Sequence, residues 1–315
     1  MSEAIGRSLT VVVPAYNEAE SLPLFLPELV AYCRQKGWEI IVVDDGSTDE
    51  TRQVLSAYET APHVRILHHK VNKGYGGALK TGIVHADTDF VVTMDADGQH
   101  RLCDVDAVLA ALLEADADMV VGKRPRSAYL YREVGKWLIR RITRLLVALR
   151  IEDLNSGFKL YNTRLVQQYL HLCPDSMAFS DVITLIFISQ RYLVIEHPIE
   201  VERRAGGKST ISTRTAFETI FEILNVMMMF NPMRIFVPAS LLCIGAGMLW
   251  GLPIVLMGRG VSVGAMLAIV TGVLFLFIGL VAQQMSLIRQ ENALLFSKLD
   301  RHVLDTRSAE RRSDE

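Results

Sequence analysis

The chain has 315 residues, enough for one large domain or two smaller ones. Half of its residues are hydrophobic and 22% are charged, which favours a globular protein that carries a membrane segment. Its 33 lysines and arginines are balanced by 35 aspartates and glutamates, so the net charge of −2 lacks the basic surplus of a nucleic-acid-binding protein. Four widely spaced cysteines form no CxxC pair, and the sequence therefore predicts neither a zinc site nor a disulfide framework.

Apolar runs rich in valine and isoleucine alternate with helix-like runs between Leu9 and Val121. Continuous apolar runs are typical of strands buried on both faces, and their alternation with helices predicts an α/β domain with a mainly parallel sheet. The predicted strands are Thr10–Val13, Ile40–Val43, Val64–Leu67, Phe90–Met94, Met119–Val121 and Phe158–Tyr161. The predicted helices are Leu22–Gln35, Asp49–Tyr58, Gly76–His85 and Val105–Glu114, the second with a capping box formed by Ser47 and Glu50.

Polar loops follow the first, second and fourth predicted strands, at 14–18, 44–49 and 95–100. Ligands of open α/β sheets bind outside the carboxyl ends of the strands, so the three loops together predict a nucleotide site. In the third loop, Asp95 and Asp97 are separated by one residue. Side chains at i and i+2 of a strand point the same way, and both carboxylates could therefore bind one hard cation. An acidic turn around Asp97-Gly98 is the alternative.

A glycine-rich run, Gly74–Gly77, precedes the third predicted helix. Leu79 stands where a dinucleotide fingerprint would have its third glycine, and the sequence contains no GxxxxGK[ST] run. We therefore interpret this run as the entry to a helix and expect neither a dinucleotide fold nor a P-loop.

Two uncharged runs, Ile235–Met257 and Val261–Ala282, are each long enough to cross a hydrocarbon layer of about 30 Å. Only three residues separate them, which predicts a tight helical hairpin, with two buried core helices as the alternative. Basic residues flank the hairpin on the side of both chain termini. The positive-inside rule then predicts that the N-terminal domain and the tail lie in the cytoplasm.

Two further segments have helical periodicity that favours contact with a membrane. Arg132, Lys136, Arg140 and Arg144 recur every four residues and form a basic face, which would meet anionic lipid or be solvated. The segment 211–234 carries an apolar stripe that would lie in the membrane interface or pack on the soluble core. The predicted domains are a catalytic domain at 1–210, this amphipathic helix at 211–234, two transmembrane helices at 235–282 and a tail at 283–315, disordered after Thr306.

Six ordered motifs carry a family resemblance: PAYNE, VDDGSTDET, NKGYGGALKTG, MDADGQH, DLNSGFKLY and RAGGKST. Together they resemble the family 2 glycosyltransferases with a GT-A fold, in particular the polyprenyl-phosphate and dolichyl-phosphate hexosyltransferases. The resemblance extends over about Leu9 to Thr210. It implies a nucleotide-diphospho-sugar transferase fold, with helices on both faces of the sheet.

The resemblance also implies roles for individual residues. The implied nucleotide-sugar contacts are Pro14, Tyr16, Glu18, Val43, Asp45, Asp95, Ala96, Asp97, Arg124, Arg204 and Lys208. Of these, Asp95, Asp97, Arg124 and Arg204 are the implied catalytic residues, and Asp95, Asp97 and Gln99 are the implied ligands of Mg²⁺ or Mn²⁺. The implied acceptor contacts are Arg132, Asp153, Asn155 and Ser156, although the last three also fit a turn before a strand.

The sequence departs from the family pattern at three positions. Thr210 replaces a frequent lysine, so that Lys208 is the candidate substitute. Arg101 and Leu102 occupy the two positions after His100, where the family often has two prolines. Gly135 occupies a position where the family frequently has serine, after the arginine that Arg132 matches.

The implied reaction moves a hexose from a UDP- or GDP-linked sugar to undecaprenyl or dolichyl phosphate, with inversion, at the cytoplasmic membrane face. A phosphate acceptor is already anionic and needs no general base, whereas a divalent cation and arginines would stabilise the departing diphosphate. A hydroxyl acceptor is the alternative, with Asp181 or His100 as the base. A non-catalytic membrane partner is a second alternative, and a homo-oligomer is possible in each case.

Overall fold

The computed structural model describes residues 8–125, 151–201, 228 and 231–313, with side chains as far as Arg289. The described chain belongs to two compact units, one at 8–125 and 151–201 and the other at 231–313. Arg132, Arg204, Lys208, the basic face at 132–144 and most of the juxtamembrane segment at 211–234 lie outside the described residues.

The first unit contains a seven-stranded sheet, six α-helices and one short 3₁₀ helix (Leu170–Leu172) among the described residues. The strands are β1 (Leu9–Ala15), β2 (Glu39–Asp44), β3 (Val64–His68), β4 (Phe90–Thr93), β5 (Met119–Lys123), β6 (Lys159–Asn162) and β7 (Val194–Pro198). The helices are α1 (Leu22–Lys36), α2 (Thr51–Ser56), α3 (Tyr75–Val84), α4 (Cys103–Ala115), α5 (Thr163–Tyr169) and α6 (Phe179–Ser189).

The sheet has the strand order β3-β2-β1-β4-β6-β5-β7. All pairings are parallel except those of β6, which runs antiparallel to both β4 and β5. Six strands therefore run in one direction, and β1, β2, β4 and β5 all end at the same edge of the sheet. This edge collects the polar loops that the sequence assigns to the nucleotide site.

Alternate residues of β1 show how helices cover both faces of the sheet. Val11 and Val13 belong to the core cluster formed with α1 and α4. Val12 points the other way and contacts Gly82 of α3. The strand is buried along its whole length, which explains its unbroken apolar sequence. The predicted α/β fold, with a mainly parallel sheet and helices on both faces, is confirmed.

The bounds of the predicted strands and helices agree with the structure to within a few residues, but the predicted cap of helix α2 is wrong. Helix α2 begins at Thr51, and no side chain caps its first turn in the way the predicted capping box requires. Instead, the Ser47 hydroxyl accepts a hydrogen bond from the backbone N of Asn17. The Asp49 carboxylate accepts from the backbone N of Thr51. The predicted capping box is wrong because the Ser47 hydroxyl bonds to the loop after β1 and not to the first turn of α2.

The second unit consists of two long helices, α7 (Met233–Leu256) and α8 (Val263–Ser313). Both contain apolar stretches long enough to cross a membrane, and only 11% and 17% of the residues in these stretches are buried. This exposure contradicts the alternative of two buried core helices. Because α8 continues as a helix to Ser313, the predicted disorder after Thr306 is wrong.

Candidate active site

The loop after β4 carries the two carboxylates that the sequence assigns to a cation. Strand β4 ends at Thr93, so Asp95 and Asp97 lie beyond it in a turn. Asp97 is 8% exposed, and its Oδ1 accepts a hydrogen bond from the backbone N of Gln99 at 3.2 Å. The acidic turn proposed as an alternative therefore exists, but it involves Asp97 and leaves Asp95 available for another role.

Asp95 is held by groups from outside its own loop. Its Oδ1 accepts a hydrogen bond from the Tyr75 hydroxyl at 2.8 Å, and its Oδ2 lies 3.9 Å from His100 Nε2. Burial raises the pKa of Asp95, but the contacts with His100 and Tyr75 outweigh it, and the net pKa lies below the usual range. Asp95 is therefore ionised at neutral pH, and its side chain is 36% exposed.

The backbone of Gly157 faces the Asp95 carboxylate. A Cβ atom at this position would lie 2.8 and 2.9 Å from the two Asp95 oxygens and 2.7 Å from the Tyr75 hydroxyl. Only a residue without a side chain leaves room for this arrangement. The carboxylate thus occupies a space shaped by the motif that contains Gly157.

The loop after β2 directs its two carboxylates into the protein. Asp45 is 2% exposed, and its oxygens accept hydrogen bonds from the backbone N of Lys73 at 2.9 Å and of Gly74 at 2.8 Å. His69 Nδ1 lies 2.6 Å from Asp45 Oδ1, and His69 Nε2 lies 2.9 Å from the Thr81 hydroxyl. Asp45 therefore fixes the glycine-rich turn before α3, a role that the sequence analysis missed.

Asp44 anchors the same loop from the other side. Its carboxylate lies 3.0 Å from the backbone N of Ser47 and 2.9 Å from His68 Nδ1. Burial raises the pKa of Asp44, but the hydrogen bonds from Ser47 and His68 outweigh this effect, and the net pKa lies below the usual range. The loop is thus stabilised by an ionised carboxylate.

The loop after β1 is joined to the loop after β2. The Asn17 side-chain oxygen accepts from the backbone N of Thr48 at 2.8 Å, and the backbone N of Glu18 donates to the Thr51 hydroxyl at 2.8 Å. Tyr16 is 46% exposed at this edge, as a ring that stacks on a base would be. By contrast, Pro14, Val43 and Ala96 are buried, so any contact they make with a nucleotide involves little of their side chains.

Arg124 and Asp153, which the sequence assigns to different substrates, form one ion pair. Arg124 Nε and Nη2 donate to the two Asp153 oxygens at 2.8 and 2.9 Å, and the Arg124 backbone N donates at 3.1 Å. Arg124 Nη2 also donates to the Asn155 carbonyl at 3.1 Å. Burial raises the pKa of Asp153, but the contacts with Arg124 outweigh it and the net pKa is lowered. Asp153 therefore orients the arginine.

The segment around Asp153 is itself anchored by hydrogen bonds to strand β7. The Glu196 carboxylate on β7 accepts from the backbone N of Glu152 at 2.6 Å and of Asp153 at 2.8 Å. Ser156 is fully buried, and its hydroxyl donates to the Phe158 carbonyl at 3.4 Å, as in the turn proposed as the alternative. Asn155 is exposed and remains the accessible candidate for an acceptor contact.

Lys159 is a buried cation that the sequence analysis missed. Its Nζ donates to the Leu154 carbonyl at 2.6 Å, to the Thr184 hydroxyl at 2.8 Å and to the Ser180 carbonyl. Burial lowers the pKa of Lys159 to about 7, and the charges of Asp181 and Asp153 oppose this shift. The ammonium group joins the loop before β6 to helix α6. A lysine inside the apolar run Phe158–Tyr161 was the signal that pointed to it.

Comparison with known proteins identifies the family of the chain. The profile described as "Glycosyl transferase family 2" matches residues 10–179. The chain belongs to this family. It is therefore a glycosyltransferase, and its C-terminal residues 231–288 match the profile described as "GtrB C-terminal hairpin". The predicted family, enzyme class and pair of C-terminal apolar helices are confirmed.

Curated relatives of this glycosyltransferase match along most of its length. Undecaprenyl-phosphate 4-deoxy-4-formamido-L-arabinose transferase from Pectobacterium carotovorum is 28% identical over 282 residues, covering 87% of this chain and 84% of the relative. The protein of the same name from an Enterobacter species is 28% identical over 229 residues, covering 71% and 68%.

Solved structures share the GT-A fold of the first unit. Glucosyl-3-phosphoglycerate synthase from Mycobacterium tuberculosis, in complex with Mn²⁺, UDP and phosphoglyceric acid, is 20% identical with a TM-score of 0.56, covering 70% of this chain and 78% of that one. The same enzyme with Mg²⁺ and UDP is 19% identical with a TM-score of 0.55, covering 70% and 79%.

The donor groups in the loop after β4 fit a hard divalent cation. Among the described residues, no group of three or more His, Cys, Asp or Glu side chains could hold a metal ion. Mg²⁺ does not require such a group, because it is commonly bound by one or two carboxylates together with substrate phosphates and water. The ionised, accessible Asp95 beside Asp97 and Gln99 matches that pattern, and the space around Asp95 is one that a Cβ at Gly157 would fill.

Proposed function

We propose that this glycosyltransferase moves a hexose from a UDP- or GDP-linked sugar to a polyprenyl phosphate, such as undecaprenyl or dolichyl phosphate. The observation that carries the proposal is the accessible, ionised Asp95 at the sheet edge shared with Arg124 and the loop of Asp45. Carboxylates and an arginine around one point suit a cation and the diphosphate of a nucleotide-sugar. The names of the curated relatives, which state an undecaprenyl-phosphate substrate, support the acceptor class.

In this proposal, the residues of the chain bind and orient the donor. Asp95 and Asp97, with Gln99 as a further ligand, hold Mg²⁺ or Mn²⁺, and the bound cation supplies charge stabilisation for the departing diphosphate. Arg124, oriented by Asp153, contributes positive charge on the same leaving group. The exposed ring of Tyr16 stacks on the base. Arg204 and Lys208 are proposed to complete the phosphate contacts.

The chemical step is a single in-line displacement. An oxygen of the acceptor phosphate attacks the anomeric carbon, the bond from that carbon to the diphosphate oxygen breaks, and the nucleoside diphosphate leaves with the electron pair. The configuration at the carbon inverts. The acceptor oxygen is anionic at neutral pH, so no side chain has to remove a proton. His100, the candidate base for a hydroxyl acceptor, is 8% exposed and lies against Phe158, which disfavours that role.

The proposed arrangement in the cell follows from the charge pattern and the hairpin. The catalytic domain at 1–210 and the tail at 283–315 lie on the cytoplasmic side, with α7 and α8 crossing the membrane. The amphipathic segment at 211–234 lies in the interface, and Arg132 contacts the acceptor phosphate. Protease treatment of right-side-out vesicles tests the orientation, because digestion of the catalytic domain from outside would contradict it.

A lipid-extract assay with radiolabelled UDP- and GDP-sugars tests the reaction. We expect a lipid product that mild acid hydrolyses and that EDTA prevents. A product that resists mild acid would favour a hydroxyl acceptor instead. We expect Asp95→Asn to abolish product formation, whereas Asp87→Asn removes the same charge from an 82% exposed side chain near β4 and should retain activity. Full activity of Asp95→Asn would refute the metal role.

A further inference from the structure

We infer that Tyr75 is a positioning residue that orients the Asp95 carboxylate toward the cation, and this inference rests on the proposed metal role of Asp95. Tyr75 is the first residue of α3, and its hydroxyl donates to Asp95 Oδ1 at 2.8 Å. The hydroxyl occupies one lone pair of Oδ1 and so favours the other oxygen, Oδ2, for metal binding. Asp95 lies in the loop after β4, whereas Tyr75 enters from the start of α3.

The donor character of Tyr75 is fixed by its surroundings. The ionised Asp95 carboxylate can only accept a hydrogen bond, so the Tyr75 hydroxyl is the donor in their 2.8 Å contact. Its hydrogen bond to an ionised carboxylate belongs to the stronger, charge-assisted class.

The position of the Tyr75 backbone is set by contacts on both sides of the turn before α3. On one side, the backbone N atoms of Lys73 and Gly74 donate to the buried Asp45. On the other side, Gly76 lies so close to the Pro174 carbonyl that a Cβ would be 2.4 Å from its oxygen. The turn is thus held between the Asp45 loop and the segment before α6, which anchors the Tyr75 backbone on both sides.

Three consecutive residues therefore join the predicted nucleotide loop to the predicted metal loop. Lys73 and Gly74 bind Asp45, and Tyr75 binds Asp95. The placement of Asp95 toward a donor nucleotide and its cation is thus tied to the buried Asp45 through one short turn. Preorganisation of this kind increases affinity because less conformational entropy is lost on binding.

The test is a Mn²⁺ titration of the full-length protein in detergent, followed by thermal unfolding at a fixed, saturating concentration of UDP and, separately, of GDP. Ligands that bind the native state raise its unfolding temperature, so the shift reports metal binding without any turnover. We expect Tyr75→Phe to raise the Mn²⁺ concentration for the half-maximal shift about tenfold, which corresponds to about 1.4 kcal/mol.

A matched control separates positioning from general stability. Tyr169 on α5 is also buried, and its hydroxyl lies 3.3 Å from the Tyr192 hydroxyl. Tyr169→Phe should lower the unfolding temperature without metal as much as Tyr75→Phe does, or more, and leave the Mn²⁺ concentration for the half-maximal shift unchanged. If Tyr75→Phe responds to Mn²⁺ as the parent protein does, Tyr75 is only structural and the inference is overturned.

Two further variants distinguish failure of this inference from failure of the proposed function. Gly157→Ala places a Cβ within 3 Å of both the Tyr75 hydroxyl and the Asp95 oxygens, and it should weaken the Mn²⁺ response even if Tyr75→Phe folds poorly. Asp95→Asn should abolish the response. A parent protein that shows no Mn²⁺ response with either nucleotide would overturn the metal role itself, whereas a response lost only in Asp95→Asn would overturn the role of Tyr75 alone.

Discussion

Replacing Lys159 by Met should destabilise the catalytic unit, and by an amount that grows with pH. Methionine fills a similar volume but cannot donate, so the carbonyls of Leu154 and Ser180 and the Thr184 hydroxyl each lose a partner. The Thr184 hydroxyl still donates to the Ser180 carbonyl, so the Leu154 carbonyl is the acceptor that the substitution leaves unsatisfied, at a cost of about 1–3 kcal/mol. This loss should lower the unfolding temperature by several degrees.

The pH dependence follows from the shifted pKa of the lysine. Burial lowers the pKa of Lys159 to about 7 in the folded protein, whereas an unfolded lysine titrates near 10.4. Between these values the unfolded chain binds more protons, so the wild-type stability gains up to about 1.4 kcal/mol per pH unit from this group as the pH rises. Lys159→Met lacks that gain. The difference in stability should therefore widen by about 2 kcal/mol from pH 7 to pH 9.

Thermal unfolding of the full-length protein in detergent at pH 7, 8 and 9 measures both effects. Comparing wild type with Lys159→Met cancels the contributions of titrating groups that do not interact with Lys159, because those groups behave alike in both proteins. Lys80→Met is the matched control, since Lys80 is partly exposed and pairs with the exposed Asp175. If wild type and Lys159→Met show parallel curves over this range, the lysine keeps its ordinary pKa and the reasoning fails.

Three other substitutions test separate parts of the site. Asp153→Asn should lower kcat/KM about tenfold or more through loss of the bidentate pair with Arg124, and unchanged steady-state kinetics would contradict that role. Tyr16→Ala should raise the KM for the nucleotide-sugar about tenfold with no change in unfolding temperature, because the ring is 46% exposed; an unaffected KM would exclude stacking. Asp44 has a lowered pKa, so its contribution to stability is present above the unfolded pKa and disappears as the pH falls through the folded value. Acid unfolding of Asp44→Asn should therefore depend less steeply on pH than that of wild type. An identical decrease in stability with falling pH in the two proteins would contradict this prediction.

The central part of the fold was predictable because its signal is local. Strands such as Val11–Val13 and Val91–Val92 are buried on both faces, and an unbroken apolar run records that burial directly. The elements that the sequence analysis missed lack this signal. Strand β7 contains Glu196 and His197 and is half-buried at the edge of the sheet. Helix α6 is buried along most of its length, and its buried residues include the polar Ser180 and Thr184, which interrupt the apolar pattern.

The positions of the site residues were predictable from motifs, but their contacts were not. Arg124 and Asp153 lie 29 residues apart and come from two loops, so only the folded sheet reveals that one orients the other. The burial of Asp45 was equally hidden, because a carboxylate in a polar loop has the same sequence signature whether it faces solvent or the protein. Nucleotide contacts by these side chains stay predictions.

The carboxylates of Asp45 and Asp95 have different surroundings, which indicates that they have different roles. Asp45 has three donors, all from the chain itself, and is 2% exposed, so its oxygens have little capacity left for a ligand. Asp95 has one such donor at hydrogen-bonding distance and a side chain that is 36% exposed. Because a metal ligand needs an accessible lone pair and a positioning residue does not, the proposed chemistry centres on Asp95. Asp45 then acts through the turn that carries Tyr75, which makes the geometry of the metal loop dependent on a residue that need not touch the metal.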